Sequence, residues 1–197
     1  MALFRLTRIS EPEPLLRADG LYLRPAASGD FAAWSHLRGE SREFLAPWEP
    51  TWPDDDLTRG AFRRRLRRQT EEMTSDESYA FLIFDAASHA LLGGLTLGGI
   101  RRGVAQAGTL GYWMGARHAG KGVMTRAVGA AVRYGFGHLR LHRIEAACLP
   151  ENVPSMTLLE RNGFRREGLA RSYLRINGVW RDHLLYALLE NEAGRFG

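Results

Sequence analysis

The segment that most constrains this chain is a glycine-rich loop, Gly115-Ala-Arg-His-Ala-Gly-Lys-Gly122, which lies between two regular patterns. Before it, residues 109–114 form a short run of aromatic and other apolar side chains, which is typical of a strand. After it, apolar residues from Met124 to Phe136 recur at helical spacing. A loop that leads from a strand into a helix presents free backbone N–H groups and the positive end of the helix dipole. The sequence therefore predicts an anion site here, most simply for a phosphate group.

The patterns on both sides of the loop predict an α+β fold in a single domain over residues 1–197, with a core at about 20–188. Asn177-Gly178 between two apolar runs is a strong signal for a two-residue β-hairpin. Residues 44–53 hold three prolines and two tryptophans and predict an ordered loop. We expect strands at 20–25, 79–84, 91–100, 109–114, 143–149, 170–176 and 179–188, and helices capped at Ser28 or Asp30, after residues 54–56, from about 124 to 136 and at 154–161.

Composition excludes several classes of protein. With 45% hydrophobic and 25% charged residues, the chain is far from the composition of disordered proteins. Cys148 is the single cysteine, which excludes a disulfide framework and a multi-cysteine zinc site, and no metal is expected. No stretch of eighteen apolar residues predicts a membrane span, and we expect a cytoplasmic protein. Lys121 is the one lysine among 27 basic residues, so the basic charge reflects arginine-rich composition and does not by itself indicate nucleic-acid binding.

The loop has two interpretations. The spacing from Gly115 to Gly120-Lys121 is that of a Walker A loop, which requires Ser or Thr at the next position to hold Mg²⁺. Gly122 occupies that position, and the nearest hydroxyl, that of Thr125, comes three residues later. No strand that ends in Asp follows to complete a metal site. These departures argue against a nucleotide triphosphatase.

The same residues, read as Arg117-x-x-Gly120-x-Gly122, resemble motif A of the GCN5-related N-acetyltransferases. Residues 151–168 resemble the Asn-x-x-Ser…Asn-Gly-Phe…Glu-Gly pattern of the branch that acetylates the N-termini of ribosomal proteins, the RimJ/RimL type. The closing hairpin, with Asn177-Gly178 and Asp182, also matches that branch. The resemblance extends from about residue 20 to 188, which is nearly the whole chain.

This resemblance implies a GNAT fold, a mixed central sheet with a splayed strand pair and flanking helices. It implies acetyl-CoA as co-substrate, with the pyrophosphate in the loop, where glycines permit close approach because they lack Cβ. The residues implied in its binding are Trp113, Met114, Arg117, His118, Ala119, Gly120, Lys121, Gly122, Val123, Asn152 and Ser155.

Acetyl transfer to an amine needs a neutral amine, a polarised thioester and a proton for the thiolate. The candidate acid is Ser155, with Asn152 beside it, and a backbone N–H near residue 113 or 114 is the candidate for polarising the thioester oxygen. Leu174 stands in the closing hairpin where related enzymes carry a glutamate, which leaves Glu49 or water as the base. The candidate acceptor-pocket residues are Trp48, Trp52 and Tyr112.

The leading hypothesis is an acetyl-CoA-dependent N-acetyltransferase that acts on the N-terminal α-amine of a protein, with a ribosomal protein as the expected partner. One alternative is acetylation of a small-molecule amine. Another is a non-catalytic protein of the same fold that associates with RNA or the ribosome through the arginine-rich helix at 59–68, a segment that is otherwise a solvated face. The sequence is compatible with a monomer or a homodimer.

Overall fold

A computed structural model of the protein describes residues 15–193. Eight strands form one sheet in the order β1-β2-β3-β4-β5-β6-β8-β7. The strands are β1 (Leu16–Ala18), β2 (Leu21–Arg24), β3 (Ser78–Asp85), β4 (Leu91–Arg101), β5 (Ala107–Met114), β6 (Arg143–Cys148), β7 (Arg165–Ile176) and β8 (Val179–Leu189). The helices are α1 (Phe31–Glu40), α2 (Arg42–Leu45), α3 (Arg59–Thr74), α4 (Val123–Gly137), α5 (Val153–Arg161) and α6 (Glu190–Ala193).

Strands β1 to β5 form an antiparallel meander, and the sheet then changes direction. Strands β5 and β6 are parallel and pair only over Ala107–Leu110 against Arg143–Ala146, so the last four residues of β5 leave its neighbour. Glycine is needed beside this divergence because a Cβ on Gly93 would lie 2.5 Å from the carbonyl oxygen of Trp113. The α+β fold with a splayed strand pair, expected from the sequence, is confirmed.

Helices cover both faces of the sheet. Strand β3 shows how, since successive side chains point to opposite faces: Ile83 joins the core under α4, and Leu82 joins a second cluster with Trp34 and Phe62. Helix α4 buries the apolar face that its helical spacing predicts, including Val128. The sheet is therefore held between α4 on one side and α1 with α3 on the other.

Two local predictions need correction. Asp30 does stand at the N-cap position of α1, but its side chain makes no cap hydrogen bond there: Ser28–Asp30 is a 3₁₀ turn, and the Asp30 carboxylate accepts from the Ala27 N–H at 2.7 Å and from Arg24. Residues 44–53 are not all loop, because helix α2 and a 3₁₀ turn at Ala46–Trp48 occupy the first part.

The helix expected after residues 54–56 forms as α3, and Thr58 caps it. The Thr58 hydroxyl accepts from the Ala61 N–H at 3.2 Å, while Asp55 and Asp56 form ion pairs with Arg64 and Arg65 one turn into α3. Part of the arginine-rich face is thus paired within the chain. Across residues 15–193, no helix is both long and apolar enough to span a membrane.

Candidate active site

The glycine-rich loop has the geometry of an anion cradle. After a 3₁₀ turn at Ala116–His118, Gly120 and Gly122 adopt left-handed backbone conformations, with φ of 74° and 71°. Gly122 is the N-cap of α4 and carries no side chain to occupy the free N–H groups of the first turn. A Cβ on Gly120 would meet nothing within 4 Å. The space in front of the loop is therefore open to a ligand.

Helix α1 fixes the beginning of this loop. The buried Ser41 hydroxyl accepts from the Ala116 N–H at 2.9 Å. Gly115 packs so closely that a Cβ there would lie 2.5 Å from Leu37 Cδ1. Arg117 forms an ion pair with Glu40 at 3.3 Å. The loop conformation thus depends on contacts from a segment about 75 residues earlier in the chain.

A cavity of about 470 Å³ extends from the loop along the splayed end of β5 to the start of α5. It is bounded on its remaining side by α2 and the residues that follow it. Its lining residues are Phe44, Leu45, Trp48, Glu49, Tyr112, Trp113, Met114, His118, Ala119, Gly120, Gly122, Val123, Met124, Thr125, Asn152, Val153, Pro154, Ser155, Thr157, Leu158 and Arg161.

The loop end of the cavity has positive electrostatic character. Burial lowers the pKa of His118, and the nearby charges of Arg117 and Lys121 lower it further. The imidazole is therefore neutral at pH 7, and its Nε2 lies 3.1 Å from Arg117 Nε, which can donate to it. The Lys121 side chain is exposed, and Arg161 lies on the cavity wall. A phosphate-bearing ligand fits this end.

Two hydroxyl groups meet in the middle of the cavity. Tyr112 Oη, from the splayed part of β5, lies 2.6 Å from Ser155 Oγ in the first turn of α5. Burial raises the pKa of Tyr112 well above its usual value, so its hydroxyl stays protonated. Asn152 Oδ1 accepts from the Ser155 N–H at 3.1 Å and caps α5. Cys148 is buried, which raises its pKa and argues against a nucleophilic thiolate.

A charged cluster surrounds one lining residue of the cavity, Glu49. Arg38 donates from both terminal nitrogens to Glu49, at 2.7 and 2.8 Å, and is only 7% exposed. The Trp52 indole N–H also donates to Glu49, at 2.8 Å. The Arg38 guanidinium packs on the rings of Trp52 and Trp113, at 4.1 and 5.0 Å from their centroids. Glu49 is thus held rigidly at the cavity surface.

Most of the residues selected from the sequence converge on one cavity, although three separate segments of the chain supply them. Trp52, Arg117 and Lys121 lie outside its lining: Trp52 packs behind Glu49, Arg117 is paired with Glu40, and Lys121 faces solvent. The cavity lining includes Trp48, Glu49, Tyr112, Trp113, Met114, His118, Ala119, Gly120, Gly122, Val123, Asn152 and Ser155.

The sequence analysis missed Arg38 and Ser41. Arg38 had a usable signal, because it follows Trp34 and Leu37 at spacings that place all three on the buried face of α1. An arginine on an apolar helix face needs a partner, and the partner is Glu49. Ser41 carried no such signal, because its role depends on where the loop packs against it. Thr125, considered above only as too distant for a Walker A hydroxyl, lines the cavity in the first turn of α4.

Comparison with known proteins agrees with this geometry. Residues 20–165 match the family model described as an acetyltransferase (GNAT) domain. The chain is 40% identical over 175 residues to a probable N-acetyltransferase of Bacillus subtilis (strain 168), YjcK, which covers 89% of this chain and 97% of that protein. It is 35% identical over 181 residues to the [ribosomal protein uS5]-alanine N-acetyltransferase of Escherichia coli (strain K12), covering 92% of this chain and 93% of that one.

A solved structure extends the similarity to the three-dimensional fold. Mycobacterium smegmatis RimJ, solved in complex with CoA-disulfide, aligns with a TM-score of 0.84 and 34% sequence identity. The alignment covers 90% of this chain and 87% of that chain.

Proposed function

This chain belongs to the GNAT acetyltransferase family and is an N-acetyltransferase, and we propose that it transfers acetyl from acetyl-CoA to the N-terminal α-amine of a protein, of which a ribosomal protein is the expected example. The observation that carries this proposal is the single cavity in which the glycine loop, the Tyr112–Ser155 pair and Glu49 meet. Its three parts match a phosphate-bearing donor, a leaving group that needs a proton, and an incoming amine.

The residues present fit acetyl-CoA. Gly120 and Gly122 leave the space before the α4 N-terminus open, which suits a pyrophosphate, and the splayed end of β5 offers unshared backbone edges to an extended arm. Acetyl-CoA supplies an acetyl group activated as a thioester, and the thiolate of CoA is the leaving group. In this proposal a backbone N–H near Trp113 or Met114 polarises the thioester oxygen, as expected for preorganised donors.

The hydroxyl pair is proposed to manage the proton of the leaving group. Ser155 Oγ gives its proton to the departing sulfur and takes one back from water that carries the proton released by the amine, while Tyr112, which keeps its own proton because burial raises its pKa, donates a hydrogen bond to Ser155. Asn152 fixes the first turn of α5 and so the direction of the Ser155 side chain. In this arrangement neither hydroxyl has to ionise before the donor binds.

The acceptor amine places a modest demand on the protein. An α-amine has a pKa of about 8, so about a tenth of it is neutral at pH 7. Positioning that fraction beside the thioester supplies much of the rate. Glu49 and water are the two candidates to receive the amine proton as the new bond forms.

The surface around the cavity mouth supports a protein acceptor over a small amine. Phe44 and Val153 line the cavity yet remain 43% and 59% exposed. The β7–β8 turn joins the same mouth, because the Asn177 N–H donates to the Glu49 carbonyl at 2.9 Å, and next to it Val179 and Trp180 are 59% and 61% exposed. Apolar side chains exposed together at a site entrance are typical of a protein-binding surface.

A panel of acceptors tests the proposal. We expect CoA release with peptides that begin with Ala, Ser or Met and with ribosomal protein uS5, and no release with the same peptides blocked at the α-amine. Thiol release gives the rate, and mass spectrometry locates the acetyl group. Turnover confined to spermine and other small amines would favour the small-molecule alternative. Tight acetyl-CoA binding without turnover on any acceptor would favour the non-catalytic RNA- or ribosome-associated alternative.

Replacing Trp180 with Ser distinguishes a protein acceptor from a small amine. If Trp180 contacts the acceptor protein, Trp180→Ser raises KM for uS5 about tenfold, the effect of losing one exposed aromatic anchor, and leaves the rate with any small amine unchanged. Val104→Ser is the matched control, because Val104 is also an exposed apolar side chain but lies in the turn between β4 and β5. Equal KM values for both variants and the wild type would exclude the hairpin from acceptor binding.

A further inference from the structure

We infer that Glu49 binds the acceptor amine as a hydrogen-bond anchor and that Arg38 is the positioning residue that aims it. This inference rests on the proposed function, since it assigns the amine of that reaction to one side chain. It selects between the two roles open to Glu49, anchor and proton acceptor, and it gives a task to a buried arginine that the reaction does not otherwise use.

The carboxylate of Glu49 has unused hydrogen-bond capacity. An ionised carboxylate accepts at about four lone-pair sites. Arg38 occupies one site on each oxygen of Glu49, and the Trp52 indole N–H occupies a second site on Oε2. The remaining site belongs to Oε1; Glu49 is one of the residues that line the cavity, and its side chain is 19% exposed. Glu49 can therefore accept one further N–H, and a cavity ligand is the group able to supply it.

The charges of Glu49 and Arg38 balance each other. Glu49 is paired with a full positive charge at hydrogen-bond distance, so the pair as a whole is close to neutral. Such a pair orients a hydrogen-bond donor but does not strongly attract cations. This suits the reaction, because only the neutral amine can attack the thioester. When the amine donates one N–H to Glu49, the lone pair of its nitrogen points away from the carboxylate.

Holding Arg38 in its buried position is energetically unfavourable. Its guanidinium is buried, packs on two indole rings, and leaves Nε without a hydrogen-bond partner among the described residues. A buried N–H donor without a hydrogen-bond partner lowers the stability of the fold. A well-packed apolar residue at position 38 would avoid this loss of stability. This arrangement is explained if the two hydrogen bonds from Arg38 orient Glu49 for binding of the acceptor amine. Lysine would not replace it, since an ammonium group cannot grip both oxygens in one plane.

The cluster also connects the amine site to the closing hairpin. The backbone carbonyl of Glu49 accepts from Asn177 in the β7–β8 turn, and Gly178 lies near Thr51. A shift of the Glu49 side chain would therefore not require the mouth of the cavity to open, because backbone hydrogen bonding holds the segment independently. A variant that changes only the hydrogen bonds between Arg38 and the Glu49 side chain therefore tests the role of Glu49 without disturbing the backbone.

Arg38→Lys tests the inference. We expect the acceptor KM to rise about 10- to 100-fold, the value of one hydrogen bond to a charged group, with kcat at saturating acceptor and the acetyl-CoA Kd within about twofold of wild type. Trp52→Phe keeps a ring against Arg38 and removes one donor to Glu49, so it should raise the acceptor KM by a smaller factor. Both are measured by thiol release with an Ala-initiated peptide, together with Tm.

The matched control is Arg24→Lys. Arg24 also grips a carboxylate with both terminal nitrogens, that of Asp30 at 2.7 and 2.8 Å, and also packs on an aromatic ring, that of Phe84, but it lies outside the cavity lining. It should change Tm and leave the acceptor KM unchanged. An Arg38→Lys variant that lowers kcat about 100-fold at unchanged KM, or that matches the control in KM, overturns the inference. A wild-type protein that acetylates no α-amine overturns the proposed function instead.

Discussion

Substituting Gly122 by Trp should abolish acetyl-CoA binding, with Kd raised at least about 100-fold in calorimetry. Gly122 caps α4 and lines the cavity, and a Cβ there has no atom closer than Arg126 Nη1 at 3.9 Å, so the indole has room to enter the space that the phosphates need. It would cover the free N–H groups of the first turn, and each charge-assisted hydrogen bond lost costs about 1.5–3 kcal/mol. The loss of two such bonds already exceeds the expected factor.

The control for this variant is Gly103→Trp. Gly103 has a similar left-handed conformation, with φ of 65°, and a Cβ there would likewise meet nothing within 4 Å. A bulky residue costs about 1–2 kcal/mol in such a conformation, so both variants should lose similar stability. Gly103 lies in the turn between β4 and β5 and should leave acetyl-CoA affinity unchanged. Tight binding by the Gly122 variant would refute the assignment of the loop.

Replacing Ser155 with Ala should lower kcat about 100-fold while acetyl-CoA affinity stays within about twofold. The side chain is buried, hydrogen-bonded to Tyr112 and small, so its removal deletes one hydroxyl and creates little new space. A general acid contributes about 10²–10⁴ in rate, and a Ser hydroxyl that mainly hydrogen-bonds the thiolate belongs at the lower end. Stopped-flow measurement of acetyl transfer in a single turnover separates this step from product release.

Tyr112→Phe is the comparison variant for Ser155. It keeps the ring on β5 and removes only the hydroxyl that lies 2.6 Å from Ser155, so its kcat should fall less than that of Ser155→Ala. A double variant no slower than Ser155→Ala alone would place both hydroxyls in one proton path. Turnover by Ser155→Ala at the wild-type rate would remove Ser155 from the chemistry, and Asn152 and Ser155 would then only cap α5.

The local sequence predicted the elements well where periodicity is strong. The span of α4 and the Asn177-Gly178 hairpin follow from spacing and turn chemistry, and the structure confirms them. The prediction was less accurate at the start of α1. Asp30 was expected to cap α1, but Arg24 and the Ala27 N–H take its carboxylate, because a short side chain bonds to whichever donor the tertiary fold brings nearest.

The candidate site divides in the same way. Gly120, Gly122, Asn152 and Ser155 lie close in sequence to a strand end or a helix start, so their roles follow from local geometry that a sequence encodes directly. Glu49 could be selected as a carboxylate in an unusual segment, but its restraint by Arg38 and Trp52 could not be predicted. That restraint depends on side chains that meet only when α1 packs beside β5.

By itself, then, the sequence predicted the glycine-rich loop, most of the strands and helices, and the short motifs that carry the family resemblance, because each of these depends on residues close together in the chain. Only the tertiary structure decided which side chains share the cavity. The splay of β5 from β6, the buried Arg38–Glu49 pair and the Ser41 contact with the loop join segments far apart in the chain. Close packing in the folded protein determines which of many possible contacts form, and hydrophobic periodicity does not indicate which distant residues these are.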